Sequence, residues 1–527
     1  MYNESMRCKY TIMDATRCMA DRSEQRPFWC FMDTLTVITA IALLLIAVGI
    51  GHKGNGSWAI LTGFALAAGA VIARLWSGGG VVQVGIELLR DTGISLLLAA
   101  TYMGVRKLAD SARPFVILGV ASLILSGLLF GARFLWQSIW DRDMQSILVE
   151  LGPDDSISEV EGILNRYAQT WERAFPTVTL SEDVDLSQVY LVQVSPRHIR
   201  SVMDALRADS ENVDHVELNI DVHLSLPSSD RMPDESLKTV IEDDPYVGLQ
   251  WGLDAVQVHE AHAVLENANP VRKARVAILD TGVESMHEDL QAVYVEGVED
   301  DAHGHGTHCA GLAGAVTNNG LGIASLNWEG RFIEVLGFRA LSESGQGSLE
   351  QIAQAIIDAS KAQADVISMS LGSKSQAQPR VLVNAVEYAL DRGVMIAASA
   401  GNADEDAIDH FPSNIEGVIA VAAVDQDLTK AEFSNMVGRL SRPLAAPGVD
   451  LYSSFLDGQY KPMSGTSMAT PVVAGLMGVM RSMNPELTSE EAYTILHETG
   501  TEIPDTPVIG RLMNAEAALK SAMGIEL

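Results

Sequence analysis

The chain has 527 residues, enough for more than one domain with its own core. It carries 36 Lys and Arg against 68 Asp and Glu, a net charge of −32, which argues against nucleic-acid binding because that needs basic patches. Hydrophobic residues make up 47%, high for a soluble enzyme, so part of the chain is expected in lipid; the four cysteines (Cys8, Cys18, Cys30 and Cys309) make no disulfide framework.

Residues 1–32 form a polar N-terminal tail of mixed charge, with Arg7, Lys9, Arg17, Arg22 and Arg26. A signal peptide would place its apolar core sooner. Two readings stay open: a short cytoplasmic tail, or translation that begins at Met32. Residues 33–140 hold the apolar excess and are expected to form an α-helical membrane bundle of about four helices. Leu35 to Ile50, Trp58 to Trp76 and Pro114 to Trp136 are each close to the roughly 20 residues that span a bilayer, and Arg133, Trp136 and Trp140 suit an interface. The segment Val81 to Val105 carries Glu87, Arg90 and Asp91 near its middle, readable as a structural pair on one helix face or as a functional cluster. The basic tail favours an N-terminus inside. Arg106, Lys107 and Arg113 favour a cytoplasmic third loop, which puts the C-terminal domains outside. The expectation is an integral membrane protein whose C-terminal domains are extracytoplasmic.

Residues 143–226 read as βαββαβ, a ferredoxin-like α+β unit. Ser146 to Leu151 is a strand. A helix follows in which Ser156 and Glu159 are spaced as a capping box and Val160, Ile163, Leu164 and Tyr167 share a face. Thr177 to Leu180 and Val189 to Val194 are the next strands. A second helix opens with Ser195 as N-cap and Pro196 at its first position, and Val213 to Asn219 closes the unit. A polar stretch rich in Pro and Ser then gives a linker over 227–243.

From 244 to 527, strand-like runs alternate with helical ones. Ala274 to Leu279, Phe332 to Gly337, Asp365 to Ser370, Gly393 to Ala398 and Val418 to Val421 read as buried strands; Leu349 to Gln363 and Gln378 to Arg392 read as helices between them. The alternation predicts an α/β domain, a mostly parallel sheet with helices on both faces, with its chemistry at the carboxyl ends of the strands. Asp280 directly follows the first strand. His303-Gly-His305-Gly-Thr-His308-Cys309 opens a small-residue helix. Ser464-Gly-Thr-Ser467-Met-Ala-Thr-Pro471 leads into the apolar run Val472 to Met480, so Ser467 sits at a helix N-terminus with Pro471 in the first turn and unpaired N–H groups nearby. Alone, Ser467 reads as a helix cap; with Asp280 and a histidine before it, the chain order Asp, His, Ser is one known for hydrolytic triads.

At these motifs the sequence resembles the subtilisin-type (S8) serine proteases, and among them the thermitase branch, over about Asp244 to Leu519. The resemblance implies a serine endopeptidase acting on protein or peptide substrates without a catalytic cofactor. The family pattern His-Gly-Thr-His places the base on His305, with Asp280 orienting it and Ser467 as nucleophile. His303 and His308 flank His305; His308 reads as a satisfied helix residue and His287 as structural. Asn402 matches the family's oxyanion asparagine, although an Asn there also reads as a turn former. Ser370-Leu371-Gly372 would pair with an extended substrate and, with Ala400 and Gly401, line the pocket for the residue before the scissile bond; His410-Phe411-Pro412 matches that pocket's far side. Asp244, Asp289, the Asn319 side chain and the carbonyls of Val316, Leu321 and Ile323 match a structural calcium loop that would otherwise read as an Asn-Gly turn. The unit at 143–226, notably Val213-Asp-His-Val-Glu217, is similar to the family's inhibitory prodomain. Its C-terminal strand would lie in the cleft, with self-cleavage near or within the linker. One departure is Val472, where the family usually has His after Thr-Pro.

Overall fold

In the segment following Met144, alternate residues of a short strand point to opposite sides, and both sides are apolar or paired. This strand, β1 (Gln145–Leu151), buries Ile147, Val149 and Leu151 on one face and Leu148 with Glu150 on the other. The computed structural model describes residues 144–227, 231–232 and 241–525; the tail, the membrane helices and most of the linker expected above lie outside the described residues. After β1 come α1 (Ile157–Tyr167), β2 (Ala168–Arg173), β3 (Val189–Val194), α2 (Ile199–Ala208) and β4 (Val213–Leu218). The four strands form one antiparallel sheet in the order β2-β3-β1-β4, the arrangement of two interleaved βαβ halves. Val160 and Leu164 of α1 and Val202, Met203 and Leu206 of α2 pack with Ile147, Val149 and Leu151.

Two expectations in this unit need correction. The second strand is β2 and not Thr177–Leu180, which forms turns: the Thr179 N–H donates to the Glu182 carboxylate at 2.9 Å, and the Asp183 N–H to the Thr179 carbonyl at 3.1 Å. As a largely exposed edge strand, β2 lacks the apolar alternation that marks a buried one. Helix α2 begins at Ile199; Ser195 and Pro196 belong to the turn before it, where the His198 N–H donates to the Ser195 carbonyl at 2.8 Å.

After β5 (Asp221–His223), the larger domain is built from α3 (Val258–Leu265), β6 (Ala274–Asp280), β7 (Tyr294–Gly297), α4 (His305–Gly314), β8 (Ile333–Arg339), β9 (Gln346–Ser348), α5 (Leu349–Lys361), β10 (Val366–Met369), α6 (Arg380–Leu390), β11 (Met395–Ser399), β12 (Ile419–Val424), β13 (Pro443–Pro447), the hairpin β14 (Leu451–Phe455) and β15 (Gln459–Met463), α7 (Thr466–Met483) and β16 (Arg511–Leu512). Eight of the strands form one sheet in the order β16-β13-β12-β11-β10-β6-β8-β7, and every neighbouring pair in it is parallel. Strand alternation divides the core. Val276 and Ile278 of β6 pack with Ala313 of α4 and Leu476 of α7, whereas Ala277 and Leu279 pack with Ile352 of α5 and Leu382 of α6. The sequence reading missed β7, β13 and β16; they are short, and β13 begins and ends in proline.

The smaller unit docks on α5 and α6 by completing their N-termini. The Glu217 carboxylate accepts from the N–H groups of Arg380 (3.0 Å) and Val381 (2.9 Å), and the Asn219 side chain accepts from the Glu350 N–H at 3.0 Å. These are the donors a helix leaves unpaired at its start, and Glu217 adds a negative charge at the positive end of α6. Glu150 and the Arg380 guanidinium form a forked pair at 2.8 Å.

Helix α7 extends further toward its N-terminus than the apolar run alone suggested, so Pro471 lies beyond the first turn and not within it. Proline has no N–H to give the carbonyl four residues earlier, which is that of Ser467.

Candidate active site

Asp280 is the last residue of β6, Ser370 follows β10, Ala400 follows β11, and the N-termini of α4 and α7 meet them at the same edge of the sheet. Asp280 and His305 are fully buried, with His305 Nδ1 2.7 Å from Asp280 Oδ1. A carboxylate oxygen only accepts, so Nδ1 carries the hydrogen and Nε2 keeps the basic lone pair. Nε2 is buried with no hydrogen-bond partner among the described residues. Burial opposes a charged imidazole here, but the Asp280 carboxylate outweighs it and holds His305 well above the ordinary histidine value.

Asp301, which the sequence reading did not single out, clamps this pair. Its Oδ2 accepts from the N–H (3.0 Å) and hydroxyl (2.8 Å) of Thr307, in the first turn of α4. Its Oδ1 accepts from the Gly304 N–H at 2.9 Å and from the hydroxyl of Thr281, the residue after Asp280, at 2.9 Å. One buried carboxylate thus ties the strand end that carries Asp280 to the helix start that carries His305. Gly304 enters that helix at φ +89°, and a Cβ there would lie 2.3 Å from the Phe455 ring.

Ser467, the second residue of α7, is 4% exposed. Its hydroxyl donates to the Ser370 carbonyl at 3.2 Å and not to His305. The Ser467 carbonyl released by Pro471 accepts from the Ser370 hydroxyl at 2.7 Å and contacts the Cys309 thiol at 3.5 Å. Cys309 Sγ is also 4.0 Å from His305 Nδ1, so Ser370 and Cys309 hold the serine backbone beside the imidazole. Burial pushes the Cys309 thiol up and keeps it neutral.

Asn402 faces the same point. Its Oδ1 accepts from the N–H (2.9 Å) and hydroxyl (3.0 Å) of Thr466, which fixes the amide so that Nδ2 points away. Nδ2 donates to the carbonyl of Ser225 at 2.6 Å. Gly401, at φ +97°, could not carry a side chain without pressing on His410 and Asn435. Buried Asn435, absent from the sequence reading, holds this turn by donating to the Ala400 carbonyl at 2.9 Å and accepting from the Ala403 N–H at 3.0 Å.

Ser225 reaches Asn402 because the chain before it lies in the cleft as a strand. β5 pairs antiparallel with β9, Asp221 opposite Ser348 and His223 opposite Gln346, and the Leu224 N–H donates to the Gly345 carbonyl at 2.9 Å. Val222 is fully buried in the cluster that holds Leu341 and Ile352. The ladder therefore runs along β9, which the sequence reading overlooked, and not along Ser370–Leu371–Gly372; a Gly-x-Gly after a strand was the signal available. Leu371 accepts instead from the Ser399 hydroxyl at 3.3 Å, and Gly372 abuts His410. Burial pushes His410 down to about 4, so it faces Gly372 and Gly401 as a neutral ring.

Residues 272–517 match the model of the subtilase family of peptidases. Thermitase of Thermoactinomyces vulgaris is 39% identical over 249 residues, covering 46% of this chain and 85% of that protein. This chain belongs to the subtilase family. A thermophilic serine proteinase of Bacillus sp. (strain AK1) is 39% identical over 248 residues, 46% of this chain and 59% of that protein. M-protease of Shouchella clausii (strain KSM-K16) is 34% identical over 313 residues, 57% of this chain and 79% of that protein. The chain is accordingly a subtilisin-family serine protease that hydrolyses peptide bonds, in a family that needs no catalytic cofactor.

Away from the cleft, this subtilase carries two buried carboxylates beside the 316–323 loop. Asp244 accepts from the N–H groups of Asn318 (2.8 Å) and Asn319 (3.1 Å), and Asp289 accepts from the Ile323 N–H at 3.0 Å and the Tyr460 hydroxyl at 2.8 Å. Asp289 Oδ1 is buried without a partner among the described residues. Burial, with the Asp244 charge added, pushes Asp289 up to about 7; burial likewise pushes Asp244 up to about 6. Two such carboxylates fit a cation. Of the neighbouring histidines, His308 Nε2 lies 3.1 Å from both the Leu451 and Lys461 carbonyls, His287 Nε2 lies 3.1 Å from the Gln459 carbonyl, and half-buried His303 packs beside His305.

Proposed function

We propose that this chain is the zymogen of a membrane-tethered serine endopeptidase that matures by cutting itself after Ser225. The observation that carries the reading is the Asn402 side-chain donor on the Ser225 carbonyl, 2.6 Å away, at the end of a chain segment held as a strand on β9. In this reading the Ser467 hydroxyl exchanges the Ser370 carbonyl for His305 Nε2, loses its proton there and attacks the carbonyl carbon. Asp280 keeps the imidazole in the tautomer that can take the proton and stabilises the cation that forms. The developing oxyanion is received by Asn402 Nδ2 and the Ser467 N–H, and the imidazolium passes its proton to the departing amine. Water then frees the acyl group by the same steps.

With the cut after Ser225, the unit expected at 143–226 acts as the inhibitory prodomain up to Ser225, Leu226 and the linker at 227–243 stay ahead of the protease domain at 244–527, and β5 occupies the cleft as a substrate would. Ser370, Leu371, Gly372, Ala400 and Gly401 line the pocket for the residue before the scissile bond. One calcium ion is held by Asp244, Asp289, the Asn319 side chain and the carbonyls of Val316, Leu321 and Ile323; it supplies structural charge balance only. The apolar stretch at 33–140 anchors the precursor in a membrane with the protease domain on the outer side. Among the described residues no helix is long and apolar enough to cross a membrane, so the anchor is tested by carbonate extraction of membranes and protease accessibility of sealed vesicles.

The enzymatic reading is tested with a fluorophosphonate probe on wild type and Ser467→Ala. Labelling of the processed wild type that vanishes in the variant supports it. Folded, processed protein that takes no label overturns it.

A further inference from the structure

Helix α3 places His259 and His262 three residues apart, on one face. The Glu242 side chain, fully buried, reaches that face from the segment that enters the larger domain. Its Oε1 lies 2.8 Å from His259 Nδ1 and also contacts His262 Nδ1, while its Oε2 is buried with no partner among the described residues. All three side chains offer a ligand atom within 4.8 Å of the others.

The outer side of each ring settles what the inner side offers. His262 Nε2 lies 2.6 Å from the Ser325 carbonyl, which can only accept, so Nε2 carries a hydrogen. In the neutral ring Nδ1 then presents its lone pair to the Glu242 carboxylate, which presents lone pairs back. His259 Nε2 faces the Asp254 carboxylate at 3.8 Å. A lone-pair nitrogen against a carboxylate is repulsive unless positive charge stands between them. An imidazole backed by a carbonyl or a carboxylate, with its other nitrogen turned inward, is the way proteins orient metal-ligating histidines. The His262 ring is further fixed against Trp328, 5.2 Å between centroids.

We infer that Glu242, His259 and His262 form a binding site for a divalent transition-metal ion, Zn²⁺ in class, which staples the segment leading from the linker onto α3. Two imidazole nitrogens and a carboxylate suit Zn²⁺ and its near neighbours and not calcium, which takes oxygen donors throughout. The site is therefore distinct in chemistry from the carboxylate pair Asp244 and Asp289, although Glu242 is only two residues from Asp244. Being buried and away from the cleft, it supplies stability and not catalysis.

The test uses the full chain carrying Ser467→Ala, so that it does not digest itself, in saturating calcium. Titration with Co²⁺ is expected to give one ion per chain with the visible absorption of a four-coordinate site, bleached by Zn²⁺, and Zn²⁺ is expected to raise the melting temperature as a ligand of the folded state does. Glu242→Gln and His259→Ala should each weaken Co²⁺ binding by about tenfold or more. Should Glu242→Gln fail to fold, His259→Ala decides alone, since that side chain is partly exposed. The inference is overturned if the parent chain takes up neither ion at micromolar concentration, in which case a proton alone holds the cluster, or if the variants bind as the parent does.

Discussion

The side-chain nitrogen of Asn402 donates to the carbonyl of Ser225 at 2.6 Å while its oxygen is held by Thr466, so the amide has one orientation and that orientation is spent on one peptide group. The carbonyl belongs to the bond between Ser225 and Leu226. On the proposed reading, the N-terminus of the processed protease begins at Leu226, which N-terminal sequencing checks directly. Asn402→Ala should slow both this cut and turnover on a peptide substrate by about 10²- to 10³-fold, the size known for the corresponding donor in subtilisin. Processing at another bond at the wild-type rate would remove Ser225 from the reacting position.

Asp301 offers a second, independent check because it touches neither reacting group. It bonds to Thr281, Gly304 and Thr307 and so sets the spacing of Asp280 and His305 from behind. Asp301→Ala should lower kcat on the order of 10²-fold, since misplacement by about 1 Å costs that much, with KM little changed. Asp301→Asn keeps one acceptor and should recover part of the loss. A change confined to melting temperature would make the residue merely structural.

Much of this arrangement was legible in advance. Asp280, His305 and Ser467 each stand at the end of a strand or the start of a helix, Asn402 lies in the turn after β11, and the strands concerned are continuous apolar runs with both faces covered. The parts that escaped are those whose signal is not periodic. Asp301 and Asn435 act through hydrogen bonds to backbone distant in sequence. The strand β9 is a three-residue, glycine-bearing edge that becomes a strand only because β5 lies against it. The place of Pro471 was misjudged because α7 starts within Thr466–Ser467, ahead of the apolar run, and the lost helix bond is taken up by Ser370 and Cys309 from other elements.

On the proposed reading, in which the smaller unit is the cleaved inhibitor, its docking makes a prediction about its release. Glu217 supplies the cap that α6 lacks, since Pro379 offers no side-chain acceptor there. Loss of a helix cap costs about 0.5–2 kcal/mol, or about 2- to 30-fold in an equilibrium constant. In Glu217→Ala the cleaved unit should leave the protease correspondingly more readily, so that activity appears earlier after processing while the mature enzyme's kcat is unchanged. Time courses of cleavage and of peptidase activity, measured side by side, test this. An unchanged lag between them would mean that Glu217 contributes nothing to holding the inhibitor.

The paired carboxylates give a pH dependence whose sign follows from their directions. Burial pushes Asp244 up to about 6 and Asp289 up to about 7, above the ordinary 3.8, and the charges of Asp243 and Glu242 add to this at Asp244 as that of Asp244 does at Asp289. A group whose pKa is raised on folding adds stability at pH below its unfolded value and loses it as pH rises through its folded value. Without calcium, stability should therefore fall from about pH 4 to about pH 7 as both side chains ionise against each other. On the proposed reading, a calcium ion held by these carboxylates opposes this by favouring the charged pair. The melting temperature in a calcium-selective chelator should thus drop below that of the calcium-loaded protein by a small margin at pH 5 and a larger one at pH 8. Asp289→Asn should shrink the calcium effect at pH 8 and leave the chelated protein less sensitive to pH. A calcium effect equal at both pH values would mean that these two carboxylates do not hold the ion.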